Sequence, residues 1–309
     1  MRNFFRSLVV NARFAARVDM HGKTVVVTGA SPNSIGFETA RKLASWGAKI
    51  IVTTRRDIDA TVMQLRAASG GEVQGHVLDL TDATSVKVFV DWYRNTQGER
   101  LDVLINNAGI HLDLRSQWKE PQLTKDGFEI HWRTNYLGTM QLTQLLLPLL
   151  QQTGDARIVN VLSILHSRGR NQYFFEPAPK YNSWDAYGQS KLALMHATLE
   201  LQRRYAIEGI QTYCLHPGAV FTNIASKGLE GSPRLSALRD QFNFVEAFLL
   251  LSPEEGAQTQ IYCATVPNLV GGLYYKACAP AAPSRESADK VVSARLWEQT
   301  QSWLQSQAR

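Results

Sequence analysis

Short apolar runs rich in β-branched residues alternate with longer segments of helical periodicity along this 309-residue chain. Seven of the runs have the length and composition of β-strands, at residues 24–28, 49–54, 75–78, 101–106, 157–163, 210–216 and near 272–275. Helical segments between successive strands are typical of a parallel sheet, because parallel strands need crossover connections that lie on its faces. The alternation therefore predicts an α/β fold, a single-domain, Rossmann-like, doubly wound sheet of about seven parallel strands with helices on both faces.

The rest of the chain favours one domain at residues 21–309, since it contains no internal repeat and no low-complexity linker. The clearest helix signals are two long segments and one capping box, at residues 124–150, at residues 183–205 and at Ser252. Two segments interrupt the alternation, residues 166–182 and residues 221–250. Each follows a predicted strand, so each would lie beyond the carboxyl end of the sheet, where open α/β folds bind ligands.

Residues 1–20 are basic and amphipathic, with no acidic residue before Asp19. On a helix, their apolar side chains would lie opposite four arginines, Arg2, Arg6, Arg13 and Arg17. Such a segment either binds a membrane surface, acts as an organellar transit peptide or packs as a short helix across the base of the domain. No stretch approaches the roughly 18 apolar residues of a spanning helix. We expect a cytoplasmic protein, with peripheral membrane contact through residues 1–20 as an open alternative.

The net charge of +6 comes from scattered Lys and Arg residues. Because basic and aromatic residues do not cluster together, the charge indicates a solvated surface and no nucleic-acid partner. The three cysteines, Cys214, Cys263 and Cys278, are odd in number and lack the spacing of metal ligands. We therefore expect no disulfide framework, no metal site and a reducing compartment.

A turn rich in small residues follows the first predicted strand and opens the first helix, from Thr28 to Gly36. Small residues let backbone N–H groups approach a pyrophosphate, which the helix dipole also attracts. The context favours a nucleotide site over an ordinary βα turn. Its expected residues are Gly29, Ser31, Asn33, Ser34, Ile35 and Gly36.

The end of the second predicted strand indicates which dinucleotide binds. NAD enzymes usually place a carboxylate there for the ribose hydroxyls, whereas NADP enzymes tend to have a small residue followed by Arg, which holds the 2′-phosphate. In this chain Thr54 takes the acidic position, and Arg55 and Arg56 follow it. The sequence therefore predicts NADP(H) in preference to NAD(H).

Tyr187 and Lys191 are four residues apart in a predicted helix, so their side chains project from the same face. The ammonium can lower the pKa of the phenol from its free value of about 10. A tyrosine tuned in this way is a general acid for a carbonyl, or a general base for an alcohol. The spacing alone also occurs by chance in amphipathic helices, so its weight comes from the nucleotide pattern upstream.

Over residues 21–300 the chain resembles the short-chain dehydrogenase/reductase family. The matching pieces occur in family order, as the loop at Thr28-Gly29, Asp79-Leu80, Asn106-Asn107-Ala108-Gly109, Asn135, Ser163, Tyr187 with Lys191, and Pro217-Gly218. The segments Ser163-Ile164-Leu165-His166 and Leu215-His216 resemble the retinol-dehydrogenase-like branch more narrowly. The glycine loop differs from the usual pattern, since it is one residue longer and lacks the middle Gly. Asn33 tolerates left-handed backbone, so we expect the turn to form.

The resemblance implies a role for each matching residue. Tyr187 would exchange a proton with the substrate oxygen, which Ser163 would hydrogen-bond. Lys191 would also bind the nicotinamide ribose, and Asn135 would order a water that relays protons to Lys191. Asp79, beside Leu80, would hydrogen-bond the adenine, although Asp79 or Thr81 could instead cap the next helix. Further cofactor contacts are implied for Asn107, Ala108, Gly109, Pro217, Gly218, Val220 and Thr222, whereas His166 and His216 are expected to be structural.

These roles predict an NADP(H)-dependent oxidoreductase that interconverts a carbonyl and an alcohol by hydride transfer. Apolar residues within 221–250 indicate a lid over an apolar small molecule, such as a retinoid, a long-chain aldehyde or a steroid. Two alternatives stay open, the same chemistry on small or xenobiotic carbonyls and a catalytically silent NADP-binding regulatory protein. Family members commonly pair through their long helices, so a homodimer is an open expectation too.

Overall fold

The computed structural model describes residues 13–220 and 251–307. Predictions about residues 1–12, about the lid at residues 221–250 and about Thr222 lie outside the described residues. The strands are β1 (Thr24–Thr28), β2 (Lys49–Thr54), β3 (Val73–Val77), β4 (Val103–Asn106), β5 (Ala156–Val161), β6 (Ile210–His216), β7 (Tyr274–Lys276) and β8 (Ala279–Pro280). The α-helices of the described residues are α1 (Ile35–Ser45), α2 (Ile58–Ser69), α3 (Ala83–Gln97), α4 (Ile130–Trp132), α5 (Gly138–Thr153), α6 (Ser183–Tyr205), α7 (Pro253–Thr265) and α8 (Lys290–Ser306).

The strands form one sheet in the order β3-β2-β1-β4-β5-β6-β7-β8, which confirms the predicted doubly wound fold. β1 to β7 are parallel, and Val26 of β1 lies between Ile51 of β2 and Leu104 of β4. β8 was not predicted and is antiparallel to β7. The turn between them contains Ala277 and Cys278, with φ of +49° and +54°, where Gly, Asn or Asp is usual. The winding reverses between β1 and β4, so a crevice opens at their carboxyl ends.

Both faces of the sheet are covered by buried apolar side chains. Val25 and Val27 point into one cluster with residues of α1, α2 and α7, whereas Val26 points into a second cluster with α3, α5, α6 and α8. Successive residues of a strand face opposite sides, which is why a run of three valines serves both layers. The two-sided burial agrees with a parallel sheet.

Two helix signals in the sequence are confirmed. α6 has the predicted bounds, and α7 begins with the predicted capping box. In that box, the Ser252 hydroxyl accepts a hydrogen bond from the Glu255 backbone N–H (3.2 Å), and the Glu255 carboxylate accepts from the Ser252 N–H (2.8 Å). The side chains thereby satisfy backbone donors that a helix N-terminus leaves free.

The helix predicted at residues 124–150 is interrupted. It begins only at Ile130, because residues before it form a turn in which the Thr124 N–H donates to the Phe128 carbonyl (2.8 Å) and Gly127 has φ of +83°. After α4 the chain passes through a π-helical turn, Arg133–Leu137, before α5 starts. π-turns inside helices often occur at functional sites, and this one contains Asn135.

Residues 13–20 contain no helical turn, so this part of the N-terminal segment does not form the amphipathic helix that its composition suggests. The Ala15 N–H donates to the Gln258 side chain of α7 (3.1 Å), and the Met20 N–H donates to the Trp46 carbonyl (3.0 Å). The segment therefore packs on the layer that contains α7. Within the described part of the chain, no helix is both long and apolar enough to cross a membrane.

Candidate functional site

The loop between β1 and α1 approaches the end of β4 very closely. Gly29 has φ of +70°, and a Cβ there would lie 2.8 Å from the Ala108 Cα. A Cβ on Gly36 would lie 2.5 Å from the side-chain nitrogen of Asn107. Any side chain at these two positions would collide with the facing loop, so the chain needs glycine at both. The result is a cradle of backbone at the carboxyl edge of the sheet.

The unusual glycine loop closes on α1 as predicted. Asn33 has φ of +60° and so adopts the left-handed backbone expected at the position without Gly. The Ser34 hydroxyl accepts a hydrogen bond from the Phe37 N–H (3.1 Å) and caps α1. Ser31 lies in the turn, and Ile35 is the first residue of α1. The longer loop therefore still presents the N-terminus of α1 to the crevice.

Two neighbouring asparagines brace the end of β4. The Asn107 side chain donates to the carbonyl oxygens of Thr28 (2.8 Å) and Gly29 (3.2 Å). Asn106 donates to Thr143 of α5 (3.0 Å) and Asn160 of β5 (2.8 Å). Asn107 thus ties the glycine loop to β4, while Asn106 ties β4 to its neighbours.

The end of β2 lies beside the glycine loop, because the N–H groups of Gly29 and Ala30 both donate to the Thr53 carbonyl (2.9 and 3.0 Å). Thr54 is buried, and its hydroxyl donates to the Arg56 carbonyl (2.7 Å). The Arg55 and Arg56 side chains are exposed. Two guanidinium groups therefore follow β2 at the position where the sequence analysis expects the 2′-phosphate.

Asp79 is engaged within its own loop. Its carboxylate accepts hydrogen bonds from the N–H (2.8 Å) and the hydroxyl (2.7 Å) of Thr81. The residue that caps α3 is Asp82, so the alternative in which Asp79 or Thr81 caps this helix is wrong. The Leu80 carbonyl accepts a hydrogen bond from the guanidinium of Arg133 (2.6 Å), so this loop is joined to the π-turn.

Asn135 is fully buried and joins three parts of the chain. Its side-chain oxygen accepts from the Ile110 N–H (2.8 Å), and its nitrogen donates to the Ile110 carbonyl (2.9 Å) and to the Ser190 hydroxyl (3.0 Å). A buried amide requires such partners. The π-turn therefore holds the loop after β4 against α6.

The side chains of Lys191 and Asn135 both face Gly109, in the loop after β4. The buried Nζ of Lys191 donates to the Val161 carbonyl (2.9 Å). A Cβ on Gly109 would lie 3.1 Å from the Lys191 Nζ and 3.3 Å from the Asn135 side-chain oxygen. Burial lowers the pKa of Lys191 to about 8, because the charged ammonium loses solvation.

The side chain of Ser163 lies beside Tyr187 and lowers its pKa, which opposes the effect of burial. Burial prevails and raises the pKa of Tyr187 to about 12. The expectation that Lys191 would lower this pKa is therefore wrong for the chain by itself. The Lys191 Nζ is 5.8 Å from the centroid of the phenol ring, and desolvation of the phenolate outweighs any attraction at that distance.

His166 supports Ser163 through the backbone. Its Nδ1 lies 2.7 Å from the Ser163 carbonyl oxygen, and its Nε2 lies 3.1 Å from the Ser284 nitrogen. Because Nε2 must accept from the Ser284 N–H, Nδ1 carries the proton and donates to Ser163. Burial lowers the pKa of His166 and lowers that of His216 to about 4. Two neutral buried imidazoles agree with the structural roles expected for them.

Pro217, Gly218 and Val220 follow β6 at the same edge of the sheet. Gly218 has φ of +94°, which favours glycine. Val220 forms an isolated parallel bridge with Leu251, where the described chain resumes. This segment is thereby held beside the start of α7.

Sequence reasoning missed His111 and His131, which surround Tyr187. The His111 and Tyr187 rings are stacked, with centroids 4.1 Å apart and planes 12° apart. His131 meets the same phenol edge-on at 6.2 Å. Proximity to Gly109 in the chain is the one sequence signal that could have singled out His111. It lies two residues beyond Gly109, in the loop expected to touch the cofactor.

Comparison with known proteins identifies relatives along nearly the whole chain. A sequence profile of the family described as short chain dehydrogenase matches residues 23–232. Human retinol dehydrogenase 11 is 34% identical over 300 residues, which cover 95% of this chain and 89% of the relative. Retinol dehydrogenase 12 of Mus musculus is 33% identical over 308 residues, covering 96% of this chain and 90% of the relative. A crystal structure of an uncharacterized protein from Mycobacterium Paratuberculosis is 31% identical, with a TM-score of 0.70, and the match covers 96% of this chain and 97% of that chain.

Proposed function

Because the chain belongs to the short-chain dehydrogenase family, which acts on alcohol and carbonyl groups, we propose that it is an NADP(H)-dependent oxidoreductase for an apolar substrate of the retinoid type. The main support is the convergence of Asn135, Ser163, Tyr187 and Lys191 at the carboxyl edge of the sheet, beside Gly109. This is the edge at which open α/β sheets bind their ligands. The proposal has three parts, the cofactor, the proton transfer and the substrate.

Gly29 and Gly36 let the loop after β1 pack closely on Ala108 and Asn107, so that its backbone and the N-terminus of α1 line the crevice in which a dinucleotide would bind. When bound, the nicotinamide supplies a hydride to the substrate carbon or accepts one from it. Arg55 and Arg56 are exposed after β2, and guanidinium groups match phosphate geometry well. Thr54 stands where an NAD enzyme would carry its carboxylate. These features favour NADP(H) over NAD(H).

Tyr187 provides the proton for the substrate oxygen in the reductive direction. With a pKa raised to about 12, the phenol stays protonated near neutral pH and can act as a general acid. The side chain of Ser163 lies beside Tyr187, so a substrate oxygen that receives the proton also lies within reach of Ser163. Ser163 therefore orients that oxygen.

Lys191 and Asn135 provide the route by which Tyr187 regains its proton. The pKa of Lys191 is lowered to about 8, so its ammonium can release and regain a proton near neutral pH. Asn135 is fixed by its bonds to Ile110 and Ser190, and its side-chain oxygen faces the same Gly109 position as the Lys191 Nζ. A water held between these two side chains would complete the relay.

The test is NADPH consumption by the purified protein with retinal, aliphatic aldehydes, steroid ketones and small aromatic carbonyls. We expect turnover of retinal or another apolar carbonyl. Tyr187→Phe should lower kcat by about 10²-fold or more while NADPH still binds, because general acid catalysis contributes about 10²–10⁴-fold. Turnover of small carbonyls alone would contradict the apolar substrate. NADPH binding without turnover of any compound would favour the regulatory alternative.

A further inference from the structure

His111 lies flat against the ring of Tyr187. The two ring centroids are 4.1 Å apart, and the planes are only 12° from parallel. The indole of Trp184 is nearly perpendicular to the same imidazole, with ring centroids 4.6 Å apart and an interplanar angle of 86°. His111 therefore packs against two aromatic side chains, both of which belong to α6.

The chain on both sides of His111 is fixed by hydrogen bonds. Ile110 is held by two hydrogen bonds with the side chain of Asn135, which accepts from its N–H and donates to its carbonyl. The Leu112 N–H donates to the Nε2 of His131 (2.9 Å), whose Nδ1 in turn lies 2.7 Å from a carboxylate oxygen of Glu129. The backbone at residue 111 therefore has little freedom, and the imidazole is held against the phenol.

The imidazole of His111 is almost fully buried, with 7% of the residue exposed, and its Nε2 has no hydrogen-bond partner among the described residues. Burial and the neighbouring His131 and Lys191 lower the pKa of His111 to about 4, although Asp113 opposes this. The ring is therefore neutral near neutral pH. The stacking of this neutral ring on the phenol is therefore the interaction that the structure shows for the His111 side chain.

We propose that His111 is a positioning residue for Tyr187, whose imidazole fixes the orientation of the phenol and keeps water from one of its faces. This inference rests on the proposed function, in which Tyr187 donates the proton. A covered ring face matters because the phenol must point its hydroxyl at the substrate oxygen, and because solvation of the phenolate would change its acidity.

Two substitutions separate the ring's shape from its nitrogens. His111→Ala removes the ring and admits water to the face of Tyr187, whereas His111→Phe keeps a flat ring without nitrogens. We expect His111→Ala to lower kcat by about tenfold, with a change in the Kd of NADPH below about twofold, because misplacing a catalytic group by about 1 Å can cost up to about 10²-fold in rate. His111→Phe should keep kcat within about threefold of the wild type.

A second readout needs no substrate. Protein labelled with ¹³C at the Cζ of tyrosine reports the phenolate of Tyr187, assigned by its loss in Tyr187→Phe. Near pH 10.5 the wild type should show almost no phenolate at this residue, since its pKa is raised to about 12. In His111→Ala the pKa should fall towards the free value of about 10, so that about a quarter or more of the phenol ionises at that pH.

The same titration in the wild type and in His111→Ala would overturn the inference. So would an equal loss of kcat in the Phe and Ala variants, because the nitrogens and not the flat ring would then matter. If His111→Ala does not fold, His111→Leu removes the flat ring with a smaller loss of volume, and the same comparison applies. A shifted phenol titration in a protein that turns over no carbonyl would contradict the proposed function, although it would still show that His111 shields the Tyr187 phenol from water.

Discussion

Replacing Lys191 with Met should remove the cost of burying a charged ammonium, and so should raise the free energy of unfolding at neutral pH. The hydrogen bond that the variant loses offsets part of this gain. The gain should disappear as the pH rises. Burial lowers the pKa of Lys191 from its ordinary 10.5 to about 8, which corresponds to a cost of about 3 kcal/mol in the folded state below pH 8. Between these two pKa values the unfolded chain binds more protons than the folded chain, so the free energy of unfolding of the wild type rises with pH. Met carries no proton and lacks this dependence.

The size of the pH effect can be separated from the other consequences of the substitution. Met leaves the Val161 carbonyl without the Lys191 donor, a loss of about 1–3 kcal/mol that does not vary with pH. The net advantage of the variant near pH 7 is therefore at most about 2 kcal/mol. The free energy of unfolding of the variant minus that of the wild type should fall by about 2 kcal/mol from about pH 8 to about pH 10, whatever its value at pH 8.

Urea unfolding of both proteins at several pH values between about 7 and 10 measures this difference. Lys119→Met, at an exposed position, controls for the loss of one positive charge. The variant should also lose carbonyl reduction, since the proposed proton route passes through Lys191. A stability difference that stays constant over this pH range would refute the reasoning that burial lowers the pKa of Lys191.

Three further predictions concern the cofactor, the loop after β4 and the N-terminus. Arg55→Ala should weaken NADPH binding about 10- to 100-fold, because a hydrogen bond to a charged group contributes about 1.5–3 kcal/mol. It should barely change NADH binding. Equal weakening of both cofactors in a fluorescence titration would contradict the NADP preference. Gly109→Ala places a Cβ 3.1 Å from the Lys191 Nζ and should lower kcat at least about fivefold with little change in Tm. The control is Gly70→Ala, because Gly70 has φ of +67° and a Cβ there would meet no other atom within 4 Å. This variant should cost about 1–2 kcal/mol of stability and leave kcat unchanged. Removing residues 1–12 should reduce co-sedimentation with anionic liposomes, and equal partitioning of both forms would rule out membrane contact through this segment.

Much of the sheet could be predicted because its strands are marked locally. The runs at β1 and β2 are apolar, rich in β-branched residues and bounded by turn residues, so both strands have the predicted bounds. The short β8 could not be predicted, since its turn at Ala277 and Cys278 lacks the residues that usually mark a hairpin. The helix expected at residues 124–150 begins late because of the turn at Gly127, and it is interrupted by a π-turn at Arg133–Leu137. Periodicity shows where a helix is apolar, but a π-turn depends on which distant groups its backbone and side chains meet.

The residues of the candidate site were also named from the sequence, because parallel strands place their carboxyl ends at one edge. Residues that follow β1, β4, β5 and β6 must therefore meet, whatever the details of packing. The contact of Gly109 with Lys191 and Asn135 is an example, since it joins residues from the loop after β4, α6 and the π-turn. The roles proposed for these residues remain predictions that the experiments above can test.

The amino-acid sequence by itself determined the α/β class, the order in which strands and helices alternate and the identity of the residues at the strand ends, because each of these is written in local composition and spacing. Only the tertiary structure decided that His111 stacks on Tyr187 and that the pKa of this phenol is raised. Stacking depends on where the loop after β4 and the distant helix α6 bring their side chains together. A pKa shift sums desolvation and charge over all neighbours in space, and for Tyr187 burial outweighs the effect expected from a lysine four residues away.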